Sequence, residues 1–85
     1  MTEEEIDRRV RTTIATHLSR PEEDVKPEAR LVEDLHADSL DVVELLQRLE
    51  EEFDTTVDDD RALALRTVGD VIQYVQELQA PAVAT

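Results

Sequence analysis

Apolar residues recur every three or four positions in four segments of this 85-residue chain. That spacing places them on one face of an α-helix. The first segment follows Thr2 and Glu5, a possible capping box, and stops before Pro21. Its apolar face consists of Ile6, Val10, Ile14 and Leu18. The pattern therefore predicts a first helix that ends before Pro21.

The spacing predicts a second helix from Ser39 to Phe53, with Asp38 as N-cap and Asp41 in the first turn, where the helix dipole favours an acid. Its core-facing stripe is Val42, Leu45, Leu46, Leu49 and Phe53. The opposite face carries Leu40, Val43, Glu44, Gln47 and Glu51. An apolar strip rimmed by acids suits a transient docking surface, although isolated exposed apolar residues are also common.

Two further helices are predicted, a short one over 59–65 with Asp58 or Asp59 at its cap, and one from Val68 to Leu78. The last helix has Thr67 as its cap, Asp70 three residues on and Pro81 after its end. Its apolar stripe is Val68, Val71, Ile72, Val75 and Leu78.

The segment 19–37 is too long for an ordinary loop, so we expect apolar residues to pin it to the core. They are Val25, Leu31, Val32 and Leu35. The predicted fold is all-α: a small four-helix bundle of three main helices and one short helix, with a long loop between helices 1 and 2. Residues 1–80 form the domain and 81–85 a disordered tail.

Acidic residues dominate the middle of the chain. The net charge is −13, and residues 36–60 hold ten acids against one base, Arg48, for a net −9. Such a field repels nucleic acid and attracts basic protein surfaces. The chain has no cysteine and no apolar run approaching the roughly 20 residues that span a bilayer. We expect a cytoplasmic monomer that binds no metal and does not insert into membranes.

Ser39 lacks the surroundings of a catalytic nucleophile. Such a serine needs a base that a third group orients, and the only histidines are His17 and His36. No G-x-S-x-G motif is present, so we expect no enzyme activity. Ser39 could be a helix-capping residue, but Asp38 can fill that role. A hydroxyl at a helix N-terminus can instead carry a phosphodiester, because backbone N–H groups favour an anion there.

The stretch "LVEDLHADSLDVVELLQRLEEEFDTTV" at 31–57 resembles the core of a discrete (type II) acyl carrier protein, in which Asp-Ser-Leu opens a long acidic helix. The closing "TVGDVIQYV" at 67–75 extends the resemblance. It implies that a phosphopantetheinyl transferase attaches 4′-phosphopantetheine from coenzyme A to Ser39, beside Asp38. The arm would carry acyl thioesters for fatty acid synthesis, or for polyketide or specialised lipid synthesis.

The resemblance also implies two groups of supporting residues. Those expected to line an acyl pocket are Leu46, Phe53, Ala62, Leu65 and Ile72. Those expected to face basic docking patches on acyltransferase and ketosynthase-type enzymes are Leu40, Asp41, Val43, Glu44, Gln47, Glu50 and Glu51.

Some positions depart from the family pattern. His36 stands where the family usually has glycine, which reaches a backbone conformation that costs histidine more. Gln47 replaces a commonly apolar residue, Arg48 adds a positive charge, and Asp58 replaces a frequent proline. The pathway therefore stays open, with a peptidyl or aminoacyl carrier of non-ribosomal synthesis and an unmodified acidic interaction module as alternatives.

Overall fold

Four α-helices make up the fold in the computed structural model, which describes residues 2–79. They are α1 (Glu3–Leu18), α2 (Ser39–Phe53), α3 (Asp59–Ala64) and α4 (Val68–Gln79), with a one-turn 3₁₀ helix at Glu22–Asp24. The predicted all-α bundle with its long first loop is confirmed; α3 ends one residue earlier than predicted and α4 one residue later. The predicted tail at 81–85 lies outside the described residues.

Side-chain caps explain where the helices begin. The capping residues are Thr2, Asp38, Asp58 and Thr67. At α2 the Asp41 N–H donates to Asp38 Oδ1 at 2.8 Å, and the Asp38 N–H donates back to Asp41 Oδ2 at 3.1 Å. At α4 the Asp70 N–H donates to the Thr67 hydroxyl at 3.0 Å. These bonds satisfy N–H groups that have no partner inside the helix.

The core lies between α1, α2 and α4, with α1 packed against both of the others. Its largest fully buried side chains are Val10, Ile14, Val25, Leu31, Leu45, Leu49, Val68 and Val71. On α4 the predicted stripe is buried except Leu78, which is only partly buried, and Tyr74 is buried in addition. Helix α3 has no buried residue, so it covers the core without entering it.

Apolar side chains pin the long loop to the core as predicted, with one exception. Val25, Leu31 and Leu35 are buried, but Val32 is 53% exposed, so its predicted role in the core is wrong. The chain turns tightly here, because the N–H groups of Asp34 and Leu35 both donate to the Arg30 carbonyl. Leu31 and Leu35 then point inward, and Val32 between them faces solvent.

Backbone hydrogen bonds join this loop to the segment before α4. The Leu31 N–H donates to the Arg66 carbonyl and the Val68 N–H donates to the Ala29 carbonyl, both at 2.9 Å. The Gly69 N–H donates to the Pro27 carbonyl at 2.8 Å, and a Cβ on Gly69 would lie only 3.0 Å from that oxygen. The single glycine therefore permits this close approach, which fixes the loop before Ser39 against α4.

Candidate functional site

Ser39 is the first residue of α2, and it is exposed. The reciprocal bonds between Asp38 and Asp41 cap the helix, so the serine is not needed as a cap. The N–H groups of Ser39 and Leu40 lie in the first turn, where no intrahelical acceptor exists. The hydroxyl is thus presented outward at the positive end of a rigid helix.

His36, three residues before Ser39, has a positive φ of 60°. Its neighbours Leu35 and Ala37 are buried, and the Ala37 N–H donates to the Leu31 carbonyl at 2.9 Å. The histidine itself therefore adopts the left-handed conformation that glycine reaches at lower cost. This turn places Asp38 and Ser39 at the start of α2.

An apolar cavity of about 400 Å³ opens beside Ser39. Its lining residues are Leu31, Val32, Glu33, Ser39, Val42, Val43, Leu46, Ala62, Leu63, Leu65 and Arg66. A hollow of about 300 Å³ shares Val43, Leu46, Ala62 and Leu63 with it and reaches Val57. These two hollows together form a groove between α2 and α3, called the α2–α3 groove below, and Ser39 lies on its rim.

Three of the five residues proposed from the sequence as pocket lining lie in this groove, namely Leu46, Ala62 and Leu65. Phe53 and Ile72 do not line it and are buried in the core. Phe53 is fourteen residues along α2 from Ser39, about 21 Å at the helical rise. Its place on the core stripe could be predicted from the sequence, and this distance separates it from the groove opening at Ser39.

Sequence reasoning missed several groove residues as pocket lining, among them Leu63 and Arg66. Leu63, on α3, is 84% exposed and lies at the mouth of the groove. Arg66 lines the groove from the segment between α3 and α4. No sequence motif marks either residue, because their position depends on how α3 packs beside α2.

The outward face of α2 combines apolar and acidic side chains, as expected. Leu40 and Val43 are 63% and 51% exposed. Glu44, Gln47 and Glu51 are exposed on the same helix. These side chains are available to a partner protein.

Two of the proposed recognition acids also have structural contacts. Asp41 belongs to the capping box of α2. The Glu50 carboxylate accepts a hydrogen bond from the Val57 N–H at 2.8 Å, which holds the connection between α2 and α3. Substituting either acid would change local structure as well as charge.

Residues 2–79 contain no candidate for two other kinds of site. No group of three or more His, Asp or Glu side chains in this range could hold a metal ion. No helix within it is both long enough and apolar enough to cross a membrane.

An outward serine at a capped helix end, beside an apolar groove in a small helical bundle, is the arrangement of a carrier domain. The comparisons agree: residues 8–75 match the family described as "Phosphopantetheine attachment site". The chain therefore belongs to this family, and within it to the acyl carrier proteins.

Two solved structures illustrate the similarity. The acyl carrier protein from Enterococcus faecalis is 33% identical, with a TM-score of 0.78 over 93% of this chain and 100% of that one. A Mycobacterium tuberculosis protein assigned as an acyl carrier protein is 32% identical, with a TM-score of 0.79 over 85% of this chain and 96% of that one.

Family membership fixes the general role. The cofactor is 4′-phosphopantetheine, and the protein is a carrier that works with partner enzymes and is not itself an enzyme. The site fits such a group, because Ser39 is exposed and its groove is open and apolar.

Proposed function

We propose that Ser39 is the residue that carries 4′-phosphopantetheine, and that the chain delivers acyl intermediates as thioesters to enzymes of fatty acid synthesis. The observation that carries this proposal is the exposed Ser39 hydroxyl at the start of α2, on the rim of the α2–α3 groove. The thiol that ends the arm supplies the thioester chemistry, which a cysteine-free chain cannot supply.

The attachment step needs a separate transferase. Ser39 Oγ would attack the pantetheine-bearing phosphorus of coenzyme A, so that an O–P bond forms and a pyrophosphate P–O bond breaks. Adenosine 3′,5′-bisphosphate leaves, and the serine proton passes to a base of the transferase. Asp38 contributes by capping α2, so that the Ser39 side chain is not needed as the cap and remains exposed. A Mg²⁺ brought with the transferase would neutralise charge on the pyrophosphate.

The outward face of α2 is proposed as the surface that partner enzymes recognise. Leu40 and Val43 offer apolar area, and Glu44 and Glu51 surround it with negative charge. A basic patch on a transferase, an acyltransferase or a ketosynthase-type enzyme would be oriented by those charges and held by the apolar contact.

The acyl chain is proposed to shelter in the α2–α3 groove, against Leu46, Ala62 and Leu65. Fatty acid synthesis is favoured over polyketide or specialised lipid synthesis because α2 and its flanks are strongly acidic. The cytoplasmic location expected from the sequence remains a prediction.

Mass spectrometry of the apoprotein after incubation with coenzyme A, Mg²⁺ and a broad-specificity phosphopantetheinyl transferase tests the attachment site. We expect a gain of one arm in the wild type and none in Ser39→Ala. Ser19 is the only other serine in the chain and lies at the end of α1 with φ 54°. Ser19→Gly keeps that backbone conformation and should gain the arm normally.

The outcome separates carrier from non-carrier functions. No mass gain in the wild type, or a gain in Ser39→Ala, contradicts the proposal and favours an unmodified acidic interaction module. Loading of the modified protein by acyl donors, but not by aminoacyl-activating enzymes, would distinguish an acyl carrier from a peptidyl or aminoacyl carrier.

A further inference from the structure

Arg66 is held firmly beside the groove by its backbone. Its N–H donates to Asp70 Oδ2 at 3.1 Å, and its carbonyl accepts the Leu31 N–H at 2.9 Å. One bond ties it to α4 and the other to the loop before α2. Both Arg66 and Ser39 line the cavity of about 400 Å³. An arginine thus belongs to the lining of the same cavity as the serine.

The Arg66 guanidinium makes no hydrogen bond or ion pair with any other residue of the range 2–79. Its charge nevertheless helps to lower the pKa of Asp70. Glu33, the acid that lines the same cavity as Arg66, is already paired with Arg30 at 3.3 Å. Among the described residues that line the α2–α3 groove, Arg66 is the only cation. Its charge is therefore available to a ligand.

The N-terminus of α2 stabilises a bound anion less than an uncapped helix N-terminus would. Asp38 and Asp41 occupy each other's N–H groups, which leaves those of Ser39 and Leu40. The two capping carboxylates also repel a further negative charge. A phosphodiester on Ser39 would therefore gain from a cation close by.

We propose that Arg66 binds the phosphodiester that joins Ser39 to its arm, and thereby directs the first part of the arm along the α2–α3 groove. This inference rests on the proposed modification of Ser39. A guanidinium can donate two parallel hydrogen bonds to phosphate oxygens, which fixes the direction of the group as well as its position. The free arm would otherwise sample all directions around an exposed serine.

Nuclear magnetic resonance of the unmodified and modified protein tests the contact. The informative variant is Arg66→Gln, which keeps both backbone hydrogen bonds. The matched control is Arg48→Gln, which removes the same charge from an exposed residue that lines a separate hollow with His17. Arg48 is nine residues along α2 from Ser39, about 13 Å at the helical rise.

We expect modification to shift the Arg66 Nε–Hε resonance of the wild type. We also expect Arg66→Gln to shift the ³¹P resonance of the modified protein, whereas Arg48→Gln leaves it unchanged. Both shifts should shrink as salt is added. Melting curves of the unmodified variants show whether each is folded.

Two results would overturn the inference while leaving the carrier function intact. One is an Arg66 resonance that modification does not move in a chain shown by mass to carry the arm. The other is an equal ³¹P shift in both variants. A chain that takes up no arm at Ser39 contradicts the proposed function, and this inference with it.

Discussion

His36, three residues before Ser39, has a strained backbone conformation at the site. Three non-glycine residues between positions 2 and 79 have a positive φ: Ser19, His36 and Asp54. Ser19 and Asp54 end α1 and α2, where a left-handed residue is common. His36 ends no helix and instead turns the loop into Asp38 and Ser39. The conformational free-energy cost at His36 therefore lies in the loop that positions Ser39.

His36→Gly should raise the free energy of unfolding by about 1 kcal/mol, because glycine adopts a positive φ without the steric penalty of a Cβ. Urea unfolding measures the change. Ser19→Gly, at φ 54°, is the matched control and should be stabilising too. A loss of stability in His36→Gly alongside a gain in Ser19→Gly would show that the imidazole makes a compensating contact.

At the scale of elements, α3 differs from the other helices in how it is held. It buries no residue, and polar contacts tie its first turn to α4. The Asp58 N–H donates to the Tyr74 hydroxyl at 2.8 Å, and Arg61 pairs with Glu77 at 2.8 Å. The Arg61 guanidinium also lies 4.6 Å from the centre of the Tyr74 ring. Since α3 forms one wall of the groove, these contacts control how firmly that wall is fixed.

Tyr74→Phe should cost about 1 kcal/mol and speed hydrogen exchange in α3 more than in α1, because it removes the hydroxyl that accepts the Asp58 N–H and keeps the buried ring. Amide exchange followed by NMR resolves the two helices. Glu77→Gln removes only an exposed ion pair and should cost less stability than Tyr74→Phe. Equal acceleration in α1 and α3 would argue against a local role for Tyr74.

Local features of the sequence predicted the helices well, whereas the groove depended on tertiary packing. Asp38 could be recognised as a cap because its partner Asp41 is three residues away. Val32 has the composition of a core residue, but the tight turn after Arg30 directs it outward. Arg66 carries no sequence signal at all, since it lines the same cavity as Ser39 only because two distant segments pair. Local sequence patterns therefore predict individual helices, whereas a site formed between helices can be located only from the structure.

At the scale of the whole molecule, negative charge is poorly balanced. The net charge is −13, and Arg9 on α1 forms a long ion pair, 3.7 Å, with Glu52 on α2. The acids on α2 that are proposed to attract partners also repel one another. More negative charge on α2 is therefore expected to favour partner binding and to lower the stability of the fold.

Hydrogen bonds lower the pKa of two carboxylates, Asp34 and Asp70. Hydrogen bonds from the Arg30 side chain, followed by the Arg30 N–H, lower the pKa of Asp34 below its ordinary 3.8. The Arg66 N–H, and then the Thr67 N–H and hydroxyl, lower the pKa of Asp70 in the same way. A lowered pKa in the folded state means that each contribution to stability is complete above the unfolded value and is lost as pH falls through the folded value.

The melting temperature should therefore pass through a maximum as pH is lowered. Between about pH 7.5 and about 5.5 it should rise, because gained protons reduce the repulsion of the net negative charge. Below about pH 4 it should fall as Asp34 and Asp70 become protonated. Calorimetry across this range measures both the rise and the fall of the melting temperature.

Two controls separate the causes. Salt of about 1 M should reduce the rise between about pH 7.5 and about 5.5, because it screens the repulsion. Asp70→Asn should make the fall below about pH 4 shallower, because the charge of Asp70 is already absent. A melting temperature that only falls from about pH 7.5 to about 5.5 would mean that the excess acids do not strain the folded state.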